Sequence, residues 1–317
     1  MKTSFKNTAM EKGLVSVVIP AYNSEPYIYE CISSVLEQTY GNREIIVVLD
    51  CPTDNTANIV RNMAKAYNCI YVISNHKNMG AGASRMIGVN AARGEWVMTV
   101  DSDDIIKDDF IESLVNAADS DDIDIVSGGF TKMDTDGRTS QVSHGEHLYS
   151  NKDAIVRQLV TNDVMLINNK IIKRSLYNYI EQKPRPYIED TQVAVKLTWY
   201  ARKVKYIDNP GYVYRINTSS LTRTCDKFKS ELFHILCWCD IMEFVKLKDP
   251  TLVDRCGLRN YIAERIKKIN TAVIKMGDAE PYKEYITEAV VRMLNLITIE
   301  SISFKIVGTE DIINKNK

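Results

Sequence analysis

The sequence lacks several features that would assign a chain to a class at once. Its 40 basic and 41 acidic side chains give a formal net charge of -1, so no excess of one sign favours nucleic acid as a partner. No run of about eighteen apolar residues occurs, so we do not expect a membrane-spanning helix. The cysteines include no CxxC pair, and the amino-terminal segment has no secretory apolar region. We therefore expect a reduced, cytoplasmic chain.

Two common nucleotide-binding motifs are missing as well. A dinucleotide-binding unit would carry GxGxxG in the turn after its first strand, whereas residues 20–25 read Pro-Ala-Tyr-Asn-Ser-Glu. No GxxxxGKS or GxxxxGKT sequence occurs, which argues against a P-loop nucleotide triphosphatase. A nucleotidyltransferase would need a glycine- and arginine-rich loop near the amino terminus, and none is present. NAD is therefore not an expected cofactor.

Apolar segments of strand length alternate with segments whose apolar residues recur at helical spacing. The predicted strands are residues 14–19, 44–49, 70–73, 96–100 and 123–127. The predicted helices are residues 27–38, 59–67 with capping residues at 54–56, 84–92 and 110–118. Near-continuous apolar strands that alternate with helices predict an α/β fold, with an open, mostly parallel sheet and helices on both faces.

The fourth predicted strand ends in three carboxylates within four positions, Asp101-Ser102-Asp103-Asp104. Negative charges crowded in this way repel one another, and a hard divalent cation such as Mg2+ or Mn2+ would compensate for them. The alternative is that Asp103 or Asp104 only caps the helix predicted to begin at residue 110.

Two other predicted strands also end in polar residues. The first ends at residues 20–23 and the second ends at Asp50. Parallel strands bring their carboxyl ends to one edge of a sheet, and ligands bind in the crevice outside that edge. We therefore expect the three polar strand ends to form one site.

Five motifs within about the first 225 residues closely resemble those of the family 2 glycosyltransferases of the GT-A fold. In chain order they are residues 17–23, 44–56, 78–80 with Arg85 and 94–96, 101–104, and 189–190. The resemblance implies a Rossmann-like, mostly parallel sheet, followed here by a C-terminal helical region. It also implies an inverting, metal-dependent hexosyltransferase. Such an enzyme moves a sugar from a nucleoside diphosphate sugar, commonly a UDP-sugar, to a hydroxyl of a saccharide or lipid-linked acceptor in cell-surface polysaccharide or glycolipid synthesis.

The resemblance further implies a role for each site residue. Asp190 would be the catalytic base that accepts the proton of the acceptor hydroxyl. Asp103 would bind the Mg2+ or Mn2+ ion, and Asp101 would touch the metal shell or the ribose. Asp50 would recognise the nucleotide base. The other nucleotide-sugar-binding candidates are Pro20, Ala21, Tyr22, Asn23, Arg85 and Ser102, and the candidate diphosphate ligands are Arg215 and Arg223 in a polar loop at 215–226.

Plainer interpretations remain beside these roles. Asp190 could be a helix N-cap, and Arg85 could be a solvated side chain. The chain reads Leu49-Asp50-Cys51-Pro52 where the family often has Asp-Asp-Gly-Ser, which predicts a stiffer turn. A non-catalytic nucleotide-binding or scaffold protein that retains the fold is the functional alternative.

The domain organisation follows from the extent of the resemblance. We expect an amino-terminal extension at 1–13 and a GT-A domain at 14–225, with a nucleotide-sugar half at 14–104 and an acceptor half at 105–225. Residues 226–317 would form the C-terminal helical region. This region either completes the core as a helical bundle or contacts a membrane surface or a second subunit. Membrane contact would hold the protein peripherally at the inner face of the membrane.

Overall fold

The computed structural model describes residues 10–161, 166–180, 189–217, 227–255, 285, 288–289 and 291–292. Strands and helices alternate through most of this part of the chain. The strands are β1 Glu11–Ala21, β2 Arg43–Leu49, β3 Ile70–Ser74, β4 Gly94–Thr99, β5 Ile105–Ile106, β6 Ile123–Ser127, β7 Phe130–Met133, β8 Thr139–Val142, β9 His147–Ser150, β10 Lys170–Lys173, β11 Lys203–Tyr206 and β12 Tyr212–Arg215. The helices are α1 Ile28–Leu36, α2 Thr56–Ala66, α3 Ala81–Ala91, α4 Phe110–Ala117, α5 Asn151–Thr161, α6 Glu189–Tyr200, α7 Lys227–Lys248 and α8 Pro250–Arg255, with a 3-10 helix at Arg174–Tyr179.

A large sheet of eight strands has the order β3-β2-β1-β4-β10-β6-β11-β9. β1 runs parallel to β2 and to β4, and β2 runs parallel to β3. β10 is antiparallel to β4 and β6, β11 is parallel to β6, and β9 is antiparallel to β11. Of these eight strands, β9 and β10 oppose the direction of the others. The predicted mostly parallel sheet is therefore confirmed.

A smaller sheet of four strands has the order β5-β12-β7-β8. β5 follows the Asp101–Asp104 turn directly, and it pairs antiparallel with β12. This pairing brings the carboxyl end of β12 alongside the turn, although the two segments are more than a hundred residues apart in the sequence.

Helices cover both faces of the large sheet. Successive residues of a strand point to opposite faces, so neighbouring residues of β1 show what packs on each side. Val17 belongs to an apolar cluster that includes Ile32 of α1. Its neighbour Val18 belongs to a second cluster, which includes Val89 of α3 and Leu197 of α6. Both clusters are buried, and the predicted arrangement of helices on both faces is confirmed.

Helix α3 packs closely against the sheet. A Cβ atom built at Gly88 would lie 2.3 Å from Val18 Cγ1 and 3.2 Å from Val48 Cγ2. Only glycine allows the helix backbone to approach the two strands this closely. Arg85 lies one turn earlier on the same helix, and its side chain is buried. The packing of α3 thus determines where the Arg85 guanidinium lies.

Helix α7, in the C-terminal region, packs against α6. Gln192 Nε2 donates a hydrogen bond to Asp240 Oδ2 at 2.8 Å, and the Trp199 ring meets the Phe244 ring edge to face at 6.1 Å. Many apolar residues of α7 are buried, as expected for a helix that belongs to a packed core. Throughout the part of the chain described above, no helix is long and apolar enough to cross a membrane.

Candidate active site

The carboxyl ends of β1, β2 and β4 meet at one edge of the large sheet. Asp50 N donates a hydrogen bond to Ala21 O at 2.9 Å, which joins the ends of β1 and β2. Ser24 Oγ and Ser102 Oγ lie 2.5 Å apart, which joins the turn after β1 to the turn after β4. The structure therefore brings the three polar strand ends together, as their sequence positions predict.

The three carboxylates of the acidic turn, residues 101–104, differ in their surroundings. Asp104 is buried: Tyr212 OH donates to its Oδ2 at 2.5 Å, and Arg215 N donates to its Oδ1 at 2.9 Å. Burial raises the pKa of Asp104 well above its ordinary value, and the charges of Asp101 and Asp103 raise it further. Both oxygens of Asp104 bind β12, so this residue anchors that strand to the acidic turn.

The helix-cap alternative for Asp103 and Asp104 is wrong. Helix α4 begins at Phe110, and its N-cap residue is Asp109. The acidic turn ends five residues before that cap, and it is followed by β5 instead.

Asp103 is the carboxylate of the turn best suited to hold a cation. Asn217 Nδ2 donates to Asp103 Oδ2 at 2.7 Å, and burial together with the charge of Asp101 raises the Asp103 pKa. The described residues include no group of three or more His, Cys, Asp or Glu side chains that could hold a metal ion. A cation at Asp103 would therefore need further oxygen ligands from a bound phosphate and from water, which is a common arrangement for Mg2+. The crowding of three carboxylates fits such a cation.

Asp101 is held on both of its oxygens. Arg85 Nη2 donates to Oδ1 at 2.9 Å, and Asn168 Nδ2 donates to Oδ2 at 2.6 Å. The Asn168 side chain is itself oriented, because Thr99 Oγ1 donates to Asn168 Oδ1 at 2.9 Å. These contacts give Asp101 a fixed orientation at the end of β4.

Asp190 lies in the first turn of α6, and it is connected to the acidic turn through Arg85. The same guanidinium that binds Asp101 also donates from Nη1 to Asp190 Oδ1. Burial raises the pKa of Asp190, and the positive charge of Arg85 opposes that rise. The structure thus brings the candidate base and the acidic turn to the two terminal nitrogens of one guanidinium.

Asp50 is buried beside the loop that leads into α3. Asn75 Nδ2 and Met79 N donate to its Oδ1 at 2.7 and 2.8 Å, and Gly80 N donates to its Oδ2 at 2.8 Å. The Asn75 amide also donates to Ser84 Oγ at 3.0 Å. The Asp50 carboxylate therefore holds the start of α3 in place, a function that the sequence did not reveal.

The remaining candidates for the nucleotide pocket differ in exposure. Pro20 and Ala21 are buried within β1, whereas Tyr22 is 45% exposed. Asn23 has a φ of 46, and its side-chain Oδ1 accepts a hydrogen bond from Thr53 N at 2.8 Å. Cys51 has a φ of 56, a left-handed conformation that explains why the family often has glycine here.

Arg215 is the last residue of β12, although the sequence suggested a polar loop. Its Nη2 donates to Glu30 Oε2 at 2.7 Å, and its guanidinium lies 5.8 Å from the centre of the Tyr27 ring. The Arg215 side chain is thereby placed beside α1 and near the acidic turn. Arg223, the other candidate diphosphate ligand, lies outside the described residues.

Three site residues were not found from the sequence: Asn168, Tyr212 and Asn217. Each binds a carboxylate of the acidic turn from a position at least 67 residues away in the chain. A weak signal existed for Asn168, because it interrupts an apolar segment together with Asn169 and Lys170. No pattern in the sequence identifies the other two.

Solved structures with the GT-A fold resemble this chain over most of its length. S. aureus TarS in complex with UDP-GlcNAc aligns with a TM-score of 0.60 and 21% identity, covering 89% of this chain and 88% of TarS. The mannosyltransferase PcManGT from Pyrobaculum calidifontis, in complex with GDP-Man and Mn2+, aligns with a TM-score of 0.55 and 18% identity, covering 88% and 86%. At these identities the likeness establishes the fold.

Sequence comparison establishes the family. Residues 16–180 match the glycosyl transferase family 2. The glycosyltransferase GlyG of Streptococcus pneumoniae is 31% identical over 294 residues, which are 86% of this chain and 93% of GlyG. The putative glycosyltransferase EpsH of Bacillus subtilis is 32% identical over 232 residues, which are 71% of this chain and 66% of EpsH. The chain belongs to glycosyl transferase family 2, as its motifs predict.

Proposed function

We propose that this protein is an inverting glycosyltransferase that transfers a hexose from a nucleoside diphosphate sugar to an acceptor hydroxyl. The proposed donor is a UDP-sugar. The observation that carries the proposal is the position of Asp190. A carboxylate in the first turn of a helix is held next to the acidic turn by one arginine, at the edge of the sheet where ligands bind.

Asp190 would act as the general base. Its Oδ1 is bound by Arg85, and none of the described residues donates a hydrogen bond to its Oδ2. A base needs one oxygen that is oriented and another that can accept a proton from the acceptor hydroxyl. The amino-terminal end of α6 favours the charged form of this carboxylate, which suits a group that must start the reaction unprotonated.

Asp103 would hold the metal, with Asn217 orienting the carboxylate. A bound Mg2+ or Mn2+ would neutralise the negative charge that develops on the departing diphosphate. Asp101, with both oxygens bound, would orient Arg85 and contribute to the ribose or metal shell from a fixed position.

The choice of donor is supported by the solved neighbours. TarS was solved with UDP-GlcNAc and with UDP, whereas PcManGT was solved with GDP-Man and Mn2+. Enzymes of the GT-A fold commonly use a divalent metal, which agrees with the crowded carboxylates of the acidic turn. UDP is therefore the first nucleotide to test, and GDP is the second.

The acceptor would be a growing saccharide or a lipid-linked saccharide in the synthesis of a cell-surface polysaccharide or glycolipid. Among the relatives is a putative teichuronic acid biosynthesis glycosyltransferase, TuaG of Bacillus subtilis, 40% identical over 101 residues. The protein would then act in the cytoplasm, at the inner face of the membrane. The C-terminal helices would complete the fold there or contact the membrane or a second subunit.

The test compares nucleotide binding with sugar transfer in Asp190→Asn. We expect this variant to bind UDP in the presence of Mn2+ as the wild type does and to lose transfer, because an amide cannot accept the proton. Asp136→Asn, in the exposed β7–β8 hairpin, is the matched control and should keep both properties. Transfer that survives in Asp190→Asn would contradict the proposed base, and a wild type that binds no nucleotide would favour a scaffold protein.

A further inference from the structure

We propose that Arg85 is a positioning residue for the base Asp190 and does not serve as a ligand of the nucleotide. The inference rests on the proposed function, and it assigns to Arg85 a different role from the nucleotide contact that the family resemblance implies. The argument depends on how the guanidinium is engaged, how helix α3 is fixed, and what each of the two roles requires.

The Arg85 guanidinium is engaged by two carboxylates at once. Nη1 donates to Asp190 Oδ1, and Nη2 donates to Asp101 Oδ1 at 2.9 Å. The Arg85 side chain is only 10% exposed. Two carboxylates around one cation neutralise its charge, and the planar fork of arginine fits this geometry, whereas the single ammonium of lysine does not. Little of the guanidinium is left to attract a diphosphate.

Arg85 is held on a helix that has little freedom to move. Gly88, one turn later, lies against Val18 of β1 at a separation that admits no side chain. At the beginning of the helix, Gly80 N donates to Asp50 Oδ2 at 2.8 Å. The close packing at Gly88 and the hydrogen bond from Gly80 to Asp50 together fix the position of the Arg85 backbone on α3.

Asp190 depends on this contact for its orientation. Within the described residues, it is Arg85 that donates a hydrogen bond to the Asp190 carboxylate. Arg85 thus fixes one oxygen of the proposed base, and none of the described residues donates a hydrogen bond to the other.

The two roles predict different kinetics. A nucleotide ligand contributes to binding, so its loss would weaken UDP affinity and raise the donor KM. A residue that positions the base acts on the transfer step, so its loss would lower kcat and leave UDP binding nearly unchanged. A displacement of about 1 Å at a reacting group can cost roughly 100-fold in rate.

The experiment measures UDP binding with Mn2+ by calorimetry, and kcat and donor KM for transfer, in Arg85→Lys and Arg85→Gln. We expect UDP affinity within about twofold of the wild type and a kcat lowered roughly 100-fold in both variants. Added methylguanidinium should restore part of the kcat of a third variant, Arg85→Ala, by filling the same position. Arg138→Gln, in the exposed hairpin, is the control for loss of an arginine.

Loss of UDP affinity with an unchanged kcat would overturn the inference, and so would variants that match the wild type in both. If the wild type itself transfers no sugar, the proposed function fails, and a separate measurement then decides the inference. A crystal structure of Arg85→Gln with UDP and Mn2+ should show the nucleotide in place and the Asp190 carboxylate turned away from Asp101. An Asp190 carboxylate that keeps its position would refute the positioning role.

Discussion

Gly88→Ala should reduce sugar transfer through the position of helix α3. The added Cβ would lie 2.3 Å from Val18 Cγ1, whereas two carbon atoms at optimal contact are about 3.5 to 4.0 Å apart. The helix must therefore move away from β1 by about 1 Å or more. Arg85 moves with it, and so does the hydrogen bond to Asp190. We expect a kcat lowered by roughly 100-fold, the cost of a displacement of that size at a reacting group.

The stability of Gly88→Ala should change much less than its activity. Overpacking costs about 1–3 kcal/mol, and replacing glycine by alanine in a helix returns about 1 kcal/mol. The net destabilisation is then about 0–2 kcal/mol, to be measured by chemical denaturation. A fully folded variant with a large loss of kcat is the expected result.

A second substitution, which relieves the clash, tests whether the loss of transfer in Gly88→Ala comes from the displaced helix. Val18→Ala removes the methyl group that the new Cβ would meet at 2.3 Å. The contacts that remain are Val18 Cβ at 3.4 Å, which is ordinary, and Val48 Cγ2 at 3.2 Å, which needs a shift of only a few tenths of an ångström. The double variant Gly88→Ala/Val18→Ala should regain transfer, although the lost methyl groups lower its stability. Val18→Ala alone is the control for that lost volume. A double variant as inactive as Gly88→Ala, or a fully active Gly88→Ala, would refute the link between helix position and base.

The other predictions concern the carboxylates of the site. Asp104 binds a proton in the folded state at pH values where the unfolded chain has released it, so the contribution of Asp104 to stability falls as pH rises above about 4. Asp104→Asn lacks this loss, and parallel stability curves for the two proteins between pH 4 and 7 would refute the assignment. Asn217→Ala should weaken Mn2+-dependent UDP binding about 10–100-fold by releasing Asp103, as loss of an outer-shell partner usually does; unchanged affinity in calorimetry would contradict this. Asp50→Ala leaves Met79 N without its acceptor and Gly80 N with only the longer hydrogen bond to Asn78 Oδ1 at 3.2 Å, so it should cost about 1–3 kcal/mol in unfolding free energy. If Asp50 served the nucleotide base alone, stability would not change.

The sheet and its polar edge could be predicted because they follow from local patterns. Apolar runs identify β1, β2 and β4, and parallel pairing then fixes that their carboxyl ends meet. Asp50 and the acidic turn were found in this way without any knowledge of tertiary contacts. The family motifs added Asp190, which no periodicity would have connected with that edge.

Local sequence patterns alone could not predict the different roles of the carboxylates in the acidic turn. Asp103 and Asp104 are adjacent and chemically identical, and the hydrogen bonds from Tyr212, Arg215 and Asn217 distinguish the anchor from the proposed metal ligand. Those donors come from β12 and the segment after it, which tertiary packing brings to the turn. The same limit applies to Arg85, whose two carboxylate partners are 16 and 105 residues away.

The most direct test of the account is a calorimetric titration of UDP, GDP and dTDP, each with and without Mn2+, against the wild type and Asp103→Ala. We predict that UDP binds the wild type only with the metal and that Asp103→Ala loses this binding, because in the proposed function Asp103 would supply the carboxylate that holds the cation beside the diphosphate. Metal-independent binding, or an Asp103→Ala variant that binds as tightly as the wild type, would contradict the assignment of the acidic turn. If none of the three nucleotides binds, the proposed transferase activity itself is refuted.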